Sequence, residues 1–260
     1  MTPTVAEIDP RSARSSGGVA LDGVVRILGG KRVLDGLDLA VAPNERLGIV
    51  GRSGAGKSTL LSLVAGLEDP DAGTVSVAGR ERARGRLDSC ALMPQRDCLL
   101  PWRTALDNAC VAPENAGVPR ARARERARPL FARFGLEKAE VLRPARLSAG
   151  MRQRVAFVRT LLAGKDVLLL DEPFGALDAI TRAELQEWLA DALADEPRTV
   201  LLVTHDVEEA LLLCDRVAVL ASGRIAAELD ADVPRGGPRR EVVTSAAFTE
   251  LRERALEAIE

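Results

Sequence analysis

Gly51-Arg52-Ser53-Gly54-Ala55-Gly56-Lys57-Ser58-Thr59 fits the spacing G-x-x-x-x-G-K-[ST], in which backbone N–H groups close around phosphate oxygens. Gly51 and Gly56 allow that close approach, Lys57 can reach β- and γ-phosphates, and the Ser58 hydroxyl can ligate Mg2+. The chemistry this supports is binding of a nucleoside triphosphate. Two apolar runs point to the same place: Val167 to Leu170 ends at Asp171-Glu172-Pro173, and Thr199 to Val203 ends at Thr204-His205-Asp206. In open α/β sheets ligands bind at the C-terminal edge of the strands, so the phosphate loop, Asp171, Glu172 and His205 can converge although far apart in sequence. A lone histidine is more often structural, but its position directly after an apolar strand favours a site. An acidic pair can also cap a helix; here Pro173 suits a turn and leaves both carboxylates free.

The elements around the loop have the required order. Arg46 to Val50 reads as a buried strand, and Leu60, Leu61, Leu63, Val64 and Leu67 give helical spacing before Gly66 and Asp69-Pro70 end the helix. Val19 to Val41 alternates in short runs around Gly29-Gly30, an antiparallel edge region. Thr74 to Val77 and Cys90 to Met93 are further strands, whereas Arg103 to Gly164 is mostly helical, punctuated by Pro113, Pro119, Pro129 and Pro144. Residues 1–18 read as a loose tail without the apolar stretch of a secretory signal. Asp230 to Glu260 reads as a linker followed by a terminal helix carrying Ala247, Phe248, Leu251, Ala255, Leu256 and Ile259 on its apolar stripe.

Bulk properties narrow the function classes. The 260 residues are 47% apolar, enough for a substantial core, and 36 basic against 38 acidic residues leave a net charge of −2. Nothing in that balance calls for nucleic acid, and the arginines from Arg120 to Arg128 lack the interleaved aromatics of a nucleic-acid surface. Cys90, Cys98, Cys110 and Cys214 show no C-x-x-C spacing, which fits free thiols and argues against zinc. No apolar run of about 18 residues is present, so a transport role requires another chain to cross the bilayer.

Behind the phosphate loop, Gln95, Leu147-Ser148-Ala149-Gly150-Met151-Arg152-Gln153-Arg154, Asp171-Glu172, Ala176-Leu177-Asp178 and His205 follow in order. With the phosphate loop these make six ordered motifs, which together resemble the ATP-binding subunit of an ABC transporter over about residues 19–225. The resemblance implies an α/β P-loop NTPase fold, an ABC-type ATPase domain over 19–229 with an antiparallel β subdomain and a helical subdomain at about 96–164. It implies that Asp171 holds Mg2+ through water, that Glu172 is the general base, and that His205 contacts the γ-phosphate. Gln95 would sense Mg2+-ATP, while Ser148 and Gly150 would contact ATP bound to the opposite subunit and Asp178 would communicate across that interface. One phosphate loop per chain then calls for an ATP-bound homodimer on the cytoplasmic face of the membrane. The expected partners are integral-membrane permease subunits and, indirectly, an extracytoplasmic solute-binding protein. Leu99-Leu100-Pro101-Trp102 and Asp178-Ala179-Ile180-Thr181-Arg182 resemble the importer group for nitrate, sulfonates and taurine. Importers of thiamine-pyrimidine precursors or riboflavin, and exporter or lipoprotein-releasing ATPases, stay open as alternatives.

Four positions depart from the family's pattern, one of them Met151, which stands where glutamine is frequent, a change common in this importer group. Leu28 stands where an aromatic ring usually stacks on adenine, and the chain has no tyrosine. Ala149 replaces the first of two signature glycines, tolerable if that residue needs only helical φ. Asn44 occupies a turn usually held by glycine, where asparagine accepts left-handed geometry better than other side chains.

Overall fold

The computed structural model describes residues 18–175, 177–195, 198–233 and 239–259. The tail at 1–17, Ala176 and most of the linker after Val233 lie outside them. Three strands, β1 (Val19–Leu28), β2 (Lys31–Val41) and β4 (Ala72–Val77), form an antiparallel sheet in the order β2-β1-β4. The hairpin turns at Gly29-Gly30, both with positive φ.

The second sheet has six strands, ordered β5 (Cys90–Met93), β6 (Val167–Asp171), β7 (Thr199–Thr204), β3 (Arg46–Val50), β8 (Arg216–Ala221) and β9 (Arg224–Asp230). The first five run parallel, and β9 closes the edge antiparallel to β8. Strands β3, β6 and β7 are apolar on successive residues because helices or the other sheet cover both faces. Leu21, Leu34 and Leu37 of the antiparallel sheet share one core with Ile49 of β3 and Leu60, Leu61, Leu63 and Val64 of α1 (Lys57–Val64). Leu67 is not part of that face: α1 stops before Gly66 turns the chain, and Leu67 is exposed.

Between α2 (Ala83–Ser89) and β6 the chain builds α3 (Ala105–Ala109), α4 (Val111–Asn115), α5 (Arg120–Arg133) and α6 (Ala149–Leu162), with 3-10 turns at Glu137–Ala139 and Pro144–Arg146. Pro129 does not interrupt this region as its residue type suggests. It lies inside α5, where buried Ala127 and Phe131 hold the helix against the core despite the missing N–H. The remaining helices are α7 (Ala179–Asp195), α8 (Val207–Leu213), α9 (Arg239–Val243) and α10 (Ala246–Ile259). On α10, Phe248 and Ala255 are buried, while Ala247 and Leu256, both expected on the apolar stripe, are exposed because the helix packs on α8, β8 and β9 along a narrower face. Asp230, expected to open a linker, instead ends β9 paired with Arg216. Among the described residues no helix is long and apolar enough to cross a membrane.

Candidate functional site

The central strand β3 feeds directly into the phosphate loop. A Cβ on Gly51 would sit 2.3 Å from the Leu220 carbonyl oxygen, so only glycine lets the loop leave the sheet there. Gly56, at φ 105, is the N-cap of α1 and packs against Val33, which brings β2 of the hairpin to the loop. Lys57, the first residue of α1, is 6% exposed, and its Nζ donates to the Gly51 carbonyl at 2.7 Å and the Arg52 carbonyl at 3.0 Å. Burial lowers the pKa of this ammonium, while the charges of Glu172 and Asp171 act to keep it protonated. Helix α1 begins with no side-chain cap and no acidic residue in its first turn, so its leading N–H groups face an open loop. Arg52, Ser53, Gly54 and Ser58 are exposed around that opening, with Ala55 and Thr59 half-buried behind them.

Strands β6 and β7 bring the polar residues to the same edge. The Ser58 hydroxyl donates to Asp171 Oδ1 at 3.3 Å, and burial raises the pKa of the Asp171 carboxyl. Glu172 takes a positive φ of 43, rare for a residue with a side chain, while its N–H donates to the Val203 carbonyl at 2.8 Å. Its Oε2 accepts from Gln95 Nε2 at 3.2 Å and lies 3.3 Å from His205 Nδ1. The two carboxylates are therefore not free, as the Pro173 turn alone suggests. Each is engaged by another polar residue of the edge, because the parallel register places Asp171 beside Val203 and puts His205 just beyond the end of β7.

Ser148, Gly150 and Asp178 form a second group. Ser148 caps α6, its hydroxyl accepting from the Met151 N–H at 3.2 Å. A Cβ on Gly150 would meet Thr181 Cγ2 at 2.7 Å, and the Thr181 N–H donates to Asp178 Oδ1 at 3.0 Å, which lowers the Asp178 pKa. Thr181 thus ties the start of α6 to the start of α7. Ala149 is the first helical residue of α6 and does not have positive φ, whereas Asn44 does, at 63. Leu28 is 41% exposed near the tip of the hairpin, next to equally exposed Ile27. Thr181, Arg182 and Glu209 carry no motif signal of their own beyond being polar residues three or four positions into α7 or α8, although Thr181 and Arg182 fall within Asp178-Ala179-Ile180-Thr181-Arg182.

The ABC transporter family model matches residues 34–175. An aliphatic sulfonates import ATP-binding protein of Cupriavidus necator is 45% identical over 250 residues, covering 95% of this chain and 79% of that protein. Its counterparts in Agrobacterium fabrum, 44% identical over 95% of this chain and 92% of the relative, and in Rhodococcus jostii, 49% identical over 80% of each, carry the same description. Among solved structures, a dimeric ATP-binding cassette in a post-hydrolysis state with ADP and Pi superposes with a TM-score of 0.72 at 27% identity, covering 82% of this chain and 98% of the other. A cassette from a Clostridium perfringens ABC transporter complex reaches 0.76 over 94% of this chain and 98% of its own, at 23% identity that speaks to the fold alone. With a phosphate loop, an acidic pair and a histidine at one sheet edge, and a family match over more than half its length, the chain belongs to the ABC transporter family as an ATP-hydrolysing subunit of the importer kind.

Proposed function

We propose that this chain drives import of an aliphatic sulfonate or a closely related small anion, working from the cytoplasmic face of the membrane as a peripheral subunit. The observation that carries the motor part is the meeting of Lys57, Ser58, Gln95, Asp171, Glu172 and His205 at the C-terminal edge of one sheet. The loop N–H groups and Lys57 bind the β- and γ-phosphates. Ser58 and, through water, Asp171 would hold Mg2+ with hard oxygen groups, and the hydrogen bond that brings the two side chains together supports this. When bound, Mg2+ neutralises charge on the β- and γ-phosphate oxygens. Glu172 accepts a proton from the water whose oxygen attacks the γ-phosphorus as the bond to the ADP oxygen breaks. His205 and Gln95 hold the Glu172 carboxylate in place by sharing Oε2.

Ser148, Gly150 and Asp178 belong to the opposite half-site. Gly150 and Asp178 meet at Thr181, and Ser148 caps the helix that carries Gly150, a grouping that supports a head-to-tail homodimer with two nucleotides between the copies. Trp102, 68% exposed a few residues after Gln95, is suited to anchor the permease, and an extracytoplasmic binding protein would deliver the solute. Phosphate release by wild type, Glu172→Gln and His205→Ala tests the motor: each variant should lose turnover by at least about 100-fold. Cells with and without the subunit, given labelled alkanesulfonate, taurine or nitrate, test the solute. Uptake of alkanesulfonate that does not depend on the subunit contradicts that part.

A further inference from the structure

Asp178 and His205 stand on separate segments, and the Arg182 side chain reaches a chain neighbour of each, Leu177 and Asp206. The Arg182 N–H donates to the Asp178 carbonyl at 2.9 Å and Nη2 donates to the Leu177 carbonyl at 3.2 Å. Its Nη1 lies 3.7 Å from Oδ2 of Asp206, the residue directly after His205. Asp206 in turn caps α8, its Oδ1 accepting from the N–H groups of Glu208 at 2.9 Å and Glu209 at 3.3 Å. A movement of the Asp178 segment therefore has a direct mechanical route to the loop that carries His205.

A second observation distinguishes this contact from an ordinary structural clamp. Among the described residues, the buried Nε of Arg182 and the buried Oε1 of Glu209 have no hydrogen-bond partner. Glu209 is 4% exposed and lies within the electrostatic reach of Arg182, Asp206 and Glu172. An unmatched donor on Arg182 and an unmatched acceptor on Glu209, carried by the adjoining helices α7 and α8 and acting on each other electrostatically, are what a second arrangement of the same groups needs, since native structures rarely leave such atoms unpaired.

We propose that Arg182 is a positioning residue for ATP hydrolysis, fastening the Asp178 segment to the His205 loop through Asp206 and using buried Glu209 as its alternative acceptor when the two segments shift. The proposal rests on the roles given above to Asp178 and His205. Its effect falls on turnover rather than on ATP affinity, because Arg182 reaches neither the phosphate loop nor the acidic pair.

The test compares kcat and the dissociation constant for ATP in the full chain for wild type, Arg182→Ala, Arg182→Lys, Asp206→Asn, Glu209→Gln and Glu209→Leu, with Asp178→Ala and His205→Ala as references. Arg182→Ala should lower kcat about tenfold with ATP affinity unchanged within twofold, and Arg182→Lys should recover part of the loss. Asp206→Asn keeps the helix cap but loses the charge, so it should repeat the defect and serves in place of Arg182→Ala if that variant does not fold. Glu209→Gln, which retains an acceptor, should stay within threefold of wild type, while Glu209→Leu should fall further. In an Asp178→Ala background, Arg182→Ala should add less than a twofold effect. Wild-type kcat in Arg182→Ala and Asp206→Asn, or a full tenfold effect added on top of Asp178→Ala, overturns the inference. If Asp178→Ala and His205→Ala themselves turn over like wild type, the site reading fails and takes the inference with it; if they are impaired while Arg182→Ala is not, the inference alone fails.

Discussion

Replacing Glu209 by glutamine isolates the cost of keeping an acid inside α8. Burial, aided by the negative charge of Asp206 and more weakly by that of Glu172, pushes this carboxyl up to about 8 against the opposing pull of Arg182 and Thr204. In the unfolded chain it ionises near 4.5. Between these values the unfolded state gives up a proton that the folded state retains, so stability falls as pH rises by about 1.4 kcal/mol per pH unit. The contribution is whole below pH 4.5 and is lost progressively as pH climbs through about 8. From pH 5.5 to 7.5, wild type should therefore lose roughly 3 kcal/mol relative to Glu209→Gln, which cannot ionise, while the other groups titrate alike in both proteins. Urea unfolding followed by tryptophan fluorescence at the two pH values measures the difference. A free-energy gap between the two proteins that is the same at both pH values refutes the reasoning.

Four further substitutions, the last two combined, test the nucleotide site and its neighbour. Leu28→Tyr restores a ring near the hairpin tip, and since base stacking is worth roughly 1–3 kcal/mol, ATP should bind about tenfold tighter, with improved preference over GTP; calorimetric titrations showing unchanged affinity and preference contradict this. Ala149→Gly should change turnover less than about twofold, because residue 149 needs only helical φ and glycine there costs about 0.5–1 kcal/mol of helix propensity; a large gain in phosphate release would mean that the methyl group obstructs the closed dimer. Gly150→Ala should impair turnover by driving a Cβ against Thr181 Cγ2, a stiff β-branched neighbour. Adding Thr181→Ser removes that methyl group and should restore at least half of the activity, and no recovery would show that the clash is not the cause.

Much of the site was legible because its chemistry sits at the ends of apolar runs. Strands β3, β6 and β7 are uninterrupted apolar segments, so the polar residues at their ends stand out in the sequence, and the parallel sheet then brings them together. Gly29-Gly30 similarly marked the hairpin, and Asn44 carries the left-handed φ that its residue type allowed. What escaped depends on tertiary context. Helix α2, Ala-Arg-Gly-Arg-Leu-Asp-Ser, has no apolar periodicity to announce it; buried Arg86 anchors it by donating to the carbonyl of Leu63 and to Asp69. Pro129 is carried within α5 because the packing of its neighbours outweighs one lost hydrogen bond. Burial of Glu209 was illegible for a related reason: beside Glu208 it reads as a second solvated acid, yet one faces Arg252 at the surface and the other the cluster under Arg182.

In the proposed motor one chain carries two unlike half-sites, and a second copy completes each nucleotide site. Light-scattering mass of purified Glu172→Gln, with and without Mg2+-ATP, is the test, because this change should block hydrolysis while leaving the phosphate loop and the Ser148 and Asp178 segments in place. The account predicts a monomer without nucleotide and a doubling of mass with it. A protein that stays monomeric at saturating Mg2+-ATP would contradict the claim that nucleotide alone joins the two copies.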